Sequence, residues 1–311
     1  MNKTYKKRNR KAGAAVNSGG FGCLFSPSLK CKNIKTKKNH LSKLLIKKYG
    51  EKELTIIHTV KKILKTVPNY KKYYLLDDIE KCFPKKLDKN DLENFDEKCE
   101  NLNKLNITSE NVNKNLDKLI SINIPYGGIN LNEWLFSDKK INKEKLLKLN
   151  NIVIRLLKNA VLPMSNRGII HGDIKDKNIL IDDHNNVRII DWGISGVSTK
   201  KNIIPSEIIN RPLQFNTPFS SIIFGEDFLY NYEEFLKKIK KKQFDFNKSN
   251  ISTFVRNEYL IKLARYYGYY DDNITIFNNI FSDVISQDTY LSEQKKESLL
   301  EYGYFLNFFA Q

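Results

Sequence analysis

An α+β fold, strand-rich toward its amino terminus and helical beyond, is predicted by three features of this 311-residue chain. Short apolar stretches punctuated by Gly, Ser and Asn run to about Leu45. Two β-rich runs, 179–181 and 187–190, flank the turn-forming Asp182-Asp183-His184-Asn185-Asn186, a hairpin signal. Helical periodicity governs 146–164 and returns beyond Pro218, where Phe228, Tyr232, Phe235 and Ile239 recur at helical spacing. Hydrophobic residues make up 41% and aromatics 12%, enough for a sizeable core despite a mean hydropathy of -0.50.

The elements follow in order. A basic run, Lys6-Lys7-Arg8-Asn9-Arg10-Lys11, lies in an arm expected to be disordered through residue 15. Residues 17–22 are rich in Gly and Ser and lead into strands. A helix is predicted over 52–67, because Ile57, Val60, Leu64 and Val67 fall three and four apart and Pro68 stops it. Glu53, four residues before Ile57, then points with the buried face. Residues 73–76 read as a strand, and 77–115, rich in Asp, Asn, Lys and Glu with little periodicity, as an insertion. Leu119 to Ile124 alternates as a strand and ends in Pro125-Tyr126-Gly127-Gly128, a turn placed as a hinge. Leu146, Leu149, Val153, Leu156, Ala160 and Met164 form one face of a long helix that Gly168 caps.

Composition narrows the setting. No apolar run approaches the roughly 20 residues of a membrane span, and the first residues lack a signal-peptide pattern, so a cytosolic or nuclear compartment is expected. Cys23, Cys31, Cys82 and Cys99 contain no Cys-x-x-Cys pair; reduced thiols and no zinc cluster are expected. The net charge of +18 favours acidic partners: nucleic acid, an anionic surface or an acidic protein.

The chemistry concentrates in His171-Gly172-Asp173-Ile174-Lys175-Asp176-Lys177-Asn178 and, thirteen residues after Asn178, Asp191-Trp192-Gly193. Phosphoryl transfer needs a carboxylate near the acceptor hydroxyl, hard oxygen ligands for a metal and positive charge where negative charge develops. Asp173 offers the first, Asn178 and Asp191 the second and Lys175 the third. The predicted hairpin brings the two acidic motifs together.

These two motifs resemble the catalytic loop and the Asp-Phe-Gly motif of the eukaryotic-type protein kinase superfamily. The resemblance covers about residues 16–212 and implies a two-lobed fold: a small β-rich lobe over 16–123, carrying the 77–115 insertion, and a larger, mainly helical lobe over 124–311. It implies ATP and Mg2+ as cofactors, with Asp173 as catalytic base, Lys175 stabilising the transferring group, and Asn178 and Asp191 as metal ligands. Asn17, Gly19, Gly20, Phe21, Gly22 and Leu24 look like the glycine-rich loop, with Asn17 where its first glycine usually stands. Lys43 resembles the strand lysine that holds the phosphates and Glu53 its helical partner; their separation is short for the family, so Lys30, Lys32 and Lys47 remain candidates. Pro125, Tyr126 and Gly127 resemble the adenine-binding hinge.

Departures matter too. Gly172 replaces the arginine that normally receives an activation-loop phosphate, so activation by such phosphorylation is not expected. His-Gly-Asp also occurs in aminoglycoside-phosphotransferase-like enzymes, whereas Lys175 resembles serine/threonine kinases. Ser195, Ser198 and Thr199 are candidate autophosphorylation sites, and Asn210-Arg211-Pro212 is the nearest match to the end of the activation segment. The motif set also resembles kinases of large DNA viruses of the mimivirus kind, which implies host cytoplasm, nucleus or virion as the location. The expected activity is transfer of the γ-phosphate of ATP to serine or threonine hydroxyls of a protein. A small-molecule kinase and a pseudokinase scaffold are the alternatives.

Overall fold

The computed structural model describes residues 14–19, 22–37, 39–137, 141–198, 205, 208, 225–243, 245 and 248–260. Gly20, Phe21, Thr199, Asn210-Arg211-Pro212 and the basic run at 6–11 lie outside them. The chain divides into two compact units, Met1–Val197 and Ser198–Gln311.

The first unit is built on a five-stranded antiparallel sheet ordered β1-β2-β3-β5-β4. Its strands are β1 (Ala14–Gly19), β2 (Gly22–Ser26), β3 (His40–Ile46), β4 (Glu80–Cys82) and β5 (Leu119–Pro125). Alternate residues of β5 serve opposite faces. Ile120 and Ile122 pack with Leu45 and with Leu54 of helix α1 (Lys47–Leu64). Leu119 packs on the other face, with Phe25, Leu29 and Leu44, against Leu87, Phe95, Cys99, Leu102, Ile107 and Val112.

The 77–115 segment is therefore packed structure. It supplies β4, the short helices α2 (Phe95–Lys98) and α3 (Glu100–Asn103), and an apolar cover for one sheet face. The strand expected at 73–76 is corrected: Tyr70–Lys72 form a 3-10 turn, Tyr74 makes a single bridge to Ile189, and the strand comes later as β4. The expectation of reduced thiols is corrected as well. Cys23 is joined to Cys99 and Cys31 to Cys82, with Cα atoms 5.0 and 5.4 Å apart.

Helix α1 begins at Lys47, five residues before the predicted start, because β3 runs directly into it without a side-chain cap. Its buried face carries Glu53, Leu54, Ile57, Val60 and Leu64. Asn130 caps helix α4 (Leu131–Leu135), and Asn142 caps helix α5 (Lys143–Leu156), each accepting a backbone N–H three residues on. A π-type turn (Leu157–Val161) then leads into α6 (Leu162–Ser165). Pro163 cannot donate to the preceding turn, and the wider turn accommodates it. The buried line is Ile152, Leu156, Ala160 and Met164, whereas Leu146 and Val153, predicted on that line, are exposed. Gly168 adopts φ +72 after α6, as a terminating glycine does.

Beyond α6, strand β7 (Ile169–Ile170) pairs with β10 (Gly196–Val197). Strand β6 (Ile129–Asn130) pairs with β8 (Ile179–Ile181), which forms the predicted hairpin with β9 (Val187–Ile189). Asp182 closes its turn by accepting from the backbone N–H groups of His184 and Asn186. Gly128, at φ +113, lies so close to β8 that a Cβ would stand 2.0 Å from the Ile181 carbonyl oxygen. In the second unit, helices α7 (Glu226–Lys240) and α8 (Lys248–Val255) gather Phe228, Tyr232, Phe235 and Phe254. Among the described residues no helix is long and apolar enough to cross a membrane.

Candidate active site

The register of β3 turns Leu41, Lys43 and Leu45 to the face that α1 covers, and the buried face of α1 presents Glu53 to it. Lys43 Nζ lies 2.8 and 3.0 Å from the Glu53 carboxylate oxygens and 2.9 Å from Asp191 Oδ1. The three groups, separated by up to 148 residues in sequence, thus meet at one ammonium. Among the candidate lysines only Lys43 makes this contact: Lys30 pairs with Asp88 at 3.2 Å, and Lys32 and Lys47 are exposed.

The three groups shift one another electrostatically. Burial alone would lower the Lys43 ammonium, but Asp191 and Glu53 outweigh it and hold Lys43 above its ordinary value. Lys43 in turn holds the Asp191 carboxyl below the usual range, against the effect of burial. Burial pushes Glu53 up, with Lys43 opposing. Asp191 sits at φ +65, a left-handed conformation that Asp tolerates better than most residues. The next two residues lock it in place. Trp192 is buried with its ring 4.7 Å from His171 and 6.0 Å from Tyr74. Gly193 lies where a Cβ would stand 2.9 Å from Glu53 Oε2.

The loop 171–178 is tied to that strand end at several points. His171 Nε2 lies 3.0 Å from the Ile190 carbonyl, and its Nδ1 accepts from the Asp173 backbone N–H at 3.2 Å. That network places the imidazole proton on Nε2. Ile190 N–H donates to the Asn178 carbonyl. Gly172 adopts φ +77 between His171 and Asp173, a conformation costly for a side-chain-bearing residue. Asp173 is buried, and its Oδ2 accepts from Lys175 Nζ at 2.9 Å and from Asn178 Nδ2 at 2.8 Å. Asn178 Nδ2 also reaches the Asp173 carbonyl at 2.9 Å. With the amide nitrogen turned to Asp173, the Asn178 oxygen is directed away from it, as a hard oxygen donor for a cation must be.

The nucleotide-loop candidates fall on the β1–β2 hairpin. Asn17 pairs with Leu24 and Gly19 with Gly22, and Leu24 pairs in turn with Lys43. Gly22 is pressed on β3 so closely that a Cβ would meet the Leu44 carbonyl oxygen at 2.0 Å. Pro125 ends β5, the Tyr126 N–H donates to the Asn39 carbonyl, and a Cβ on Gly127 would stand 2.7 Å from Leu180 Cδ1 and 2.9 Å from Leu75 Cδ2. Ser195, a candidate autophosphorylation site by sequence, is buried and donates its hydroxyl to the His171 carbonyl at 3.0 Å, which makes it a loop tie.

Sequence reasoning missed three features. Gly193 works by lacking a Cβ beside Glu53, which the motif alone does not disclose. Lys81 of β4 pairs with Glu51 of α1 at 2.7 Å, a contact with no local signal. Asn132 of α4 donates to Asp176 of the 171–178 loop at 2.6 Å.

The fold is α+β and kinase-like, a β-sheet region followed by helices. The family profile described as a protein kinase domain matches residues 85–210. The carbon catabolite-derepressing protein kinases of Candida glabrata and Saccharomyces cerevisiae are each 30% identical over 91 residues, 29% of this chain and 14% of theirs. A hormonally up-regulated neu tumor-associated kinase homolog of Xenopus tropicalis is 35% identical over 68 residues, 22% of this chain and 9% of its own. The similarity thus spans about a seventh or less of the curated relatives. The stretch matched by the profile, 85–210, contains both His171–Asn178 and Asp191-Trp192-Gly193.

Proposed function

We propose that the chain is an ATP- and magnesium-dependent protein kinase that phosphorylates serine or threonine hydroxyls, with its small lobe ending near residue 123. The observation that carries this reading is the convergence of Lys43, Glu53 and Asp191 at one ammonium beside the Asp173–Lys175–Asn178 network. Magnesium favours one or two carboxylate or amide oxygens plus phosphates over an all-protein cage. Asp191 and Asn178 supply that number, and among the described residues no group of three His, Cys, Asp or Glu is built to hold a metal alone. Bound ATP and magnesium would supply the transferable phosphoryl group and the charge that neutralises it.

The protein's own contribution is positioning and charge. Lys43, held by Glu53, presents a fixed cation to phosphate oxygens, and the glycine-rich hairpin presents backbone N–H groups. Asp173, oriented through Oδ2, accepts the proton of the incoming hydroxyl. Lys175 lies beside that carboxylate and stabilises charge developing on the transferring group. Substrate class is tested with labelled ATP, magnesium and generic acidic and basic proteins, comparing wild type with Asp173→Asn. Transfer to Ser or Thr by wild type, reduced by about two orders of magnitude or more in the variant, is the expected result. Transfer only to a sugar or aminoglycoside would replace this reading with a small-molecule kinase, and ATP binding without any transfer with a pseudokinase.

A further inference from the structure

We propose that the two disulfides form a redox-controlled clamp on the phosphate-binding side of the molecule. All four cysteines are consumed, and all four are at most 5% exposed. Each bond joins the sheet region to the 77–115 segment, across 76 residues for Cys23–Cys99 and 51 for Cys31–Cys82.

Each bond also ends one residue from a group that shapes the site. Cys23 follows Gly22 of the glycine-rich hairpin and pairs with Leu44, the neighbour of Lys43. Cys82 follows Lys81, whose ammonium holds Glu51 at 2.7 Å, and Glu51 lies two residues before Glu53 on α1. The other end of the second bond is tied into the sheet as well: Asn123 Nδ2 lies 3.3 Å from Cys31 Sγ and belongs to the strand that pairs with β4. Oxidation therefore ties β4 to the Cys31 loop, and the Lys81–Glu51 pair links β4 to the start of α1, two residues before the Glu53 that reaches Lys43.

The chemistry is thiol–disulfide exchange. Two protein thiols and one disulfide of the oxidised-glutathione class become, through a mixed disulfide, one protein disulfide and two glutathione thiols. Closing loops of this length restricts the unfolded chain, so the oxidised form is the more stable one.

The consequence for catalysis rests on the phosphotransferase reading; the clamp itself does not, and its test uses no nucleotide. The full chain is equilibrated with oxidised glutathione, denatured in an alkylating agent without reductant and mapped by mass spectrometry. The expected products are peptides linking Cys23 to Cys99 and Cys31 to Cys82. Amide exchange is then compared before and after dithiothreitol, where reduction speeds exchange in β4 and the first turns of α1 and lowers Tm by about 5–10 °C. Lys81→Ala, with its cysteines still oxidised, should speed exchange in α1 while leaving the linked peptides intact. Four alkylated cysteines, a different pairing, or exchange in α1 indifferent to both reduction and Lys81→Ala would overturn the clamp. Loss of phosphate transfer with the clamp intact would count against the kinase reading alone.

Discussion

At the scale of single residues, the site depends on one partly buried cation serving two carboxylates. Lys43→Met would strand Glu53, which is 4% exposed, without its partner. The expected cost is about 3–5 kcal/mol of stability, read by urea unfolding, together with loss of nucleotide binding. The pH dependence follows from the directions of the shifts. Asp191 is depressed when folded, so its stabilisation is present above the unfolded carboxylate value and is lost as pH falls through the folded one. Lys43 is raised, so its contribution is present below its unfolded value and is lost only as alkaline pH passes the folded one. Glu53 is raised and has the opposite sign, blunting the acid arm. Denaturant melts stepped downward from neutral pH should show wild type losing stability more steeply than Lys43→Met. Gly193→Ala tests the same pair by geometry. The added methyl would crowd Glu53 Oε2 and shift the carboxylate that both Lys43 contacts use, and ATP affinity measured by titration should weaken by about two- to tenfold. An unchanged affinity would show that the carboxylate yields to the methyl without losing Lys43. Asp173, Lys175, Asn178 and Asp191 were legible in the sequence because they fall in two short motifs close together, whereas Lys43 and Glu53 were reached only through a resemblance. The Gly193–Glu53 contact was not, since 140 positions of chain separate two atoms that only folding brings together.

At the scale of elements, periodicity located α1, α5 and the β8–β9 hairpin, and failed where short-range chemistry overrode it. The start of α1 was missed because Ile46 leaves an extended conformation straight into the helix with no capping side chain. The buried line of α5 was misread at Leu146 and Val153, which are exposed; the inward positions run four apart, from Ile152 and Leu156 in α5 to Ala160 in the wider turn and Met164 in α6. The cover formed by Leu87, Phe95, Cys99, Leu102, Ile107 and Val112 escaped because its apolar residues sit singly in short helices and turns, too irregularly for either the helical or the strand period. Gly128 tests the β6–β8 contact. Its positive φ alone makes Gly128→Ala cost about 1–2 kcal/mol, and the collision with the Ile181 carbonyl adds to that. Thermal melts should show this loss, whereas Ala at the exposed position Tyr230 should show little.

At the scale of the whole molecule, the charge of +18 predicts association with polyanions irrespective of their sequence. Binding to unrelated DNA duplexes should be equal in strength and fall steeply between low and physiological salt; a strong preference for one sequence would point instead to base contacts. Part of that charge is visible on α7, which carries Lys237, Lys238 and Lys240 in its last turn while Phe228 and Tyr232 point inward. The covered sheet has a different kind of consequence. A peripheral loop drifts freely in length from one descendant to the next, but 80–115 cannot, because its apolar residues and two of the four cysteines are committed to the strands beneath. Growth or trimming in a lineage of this protein should be confined to places such as Leu105-Asn106, where an exposed leucine and a left-handed asparagine mark a turn with room outside it.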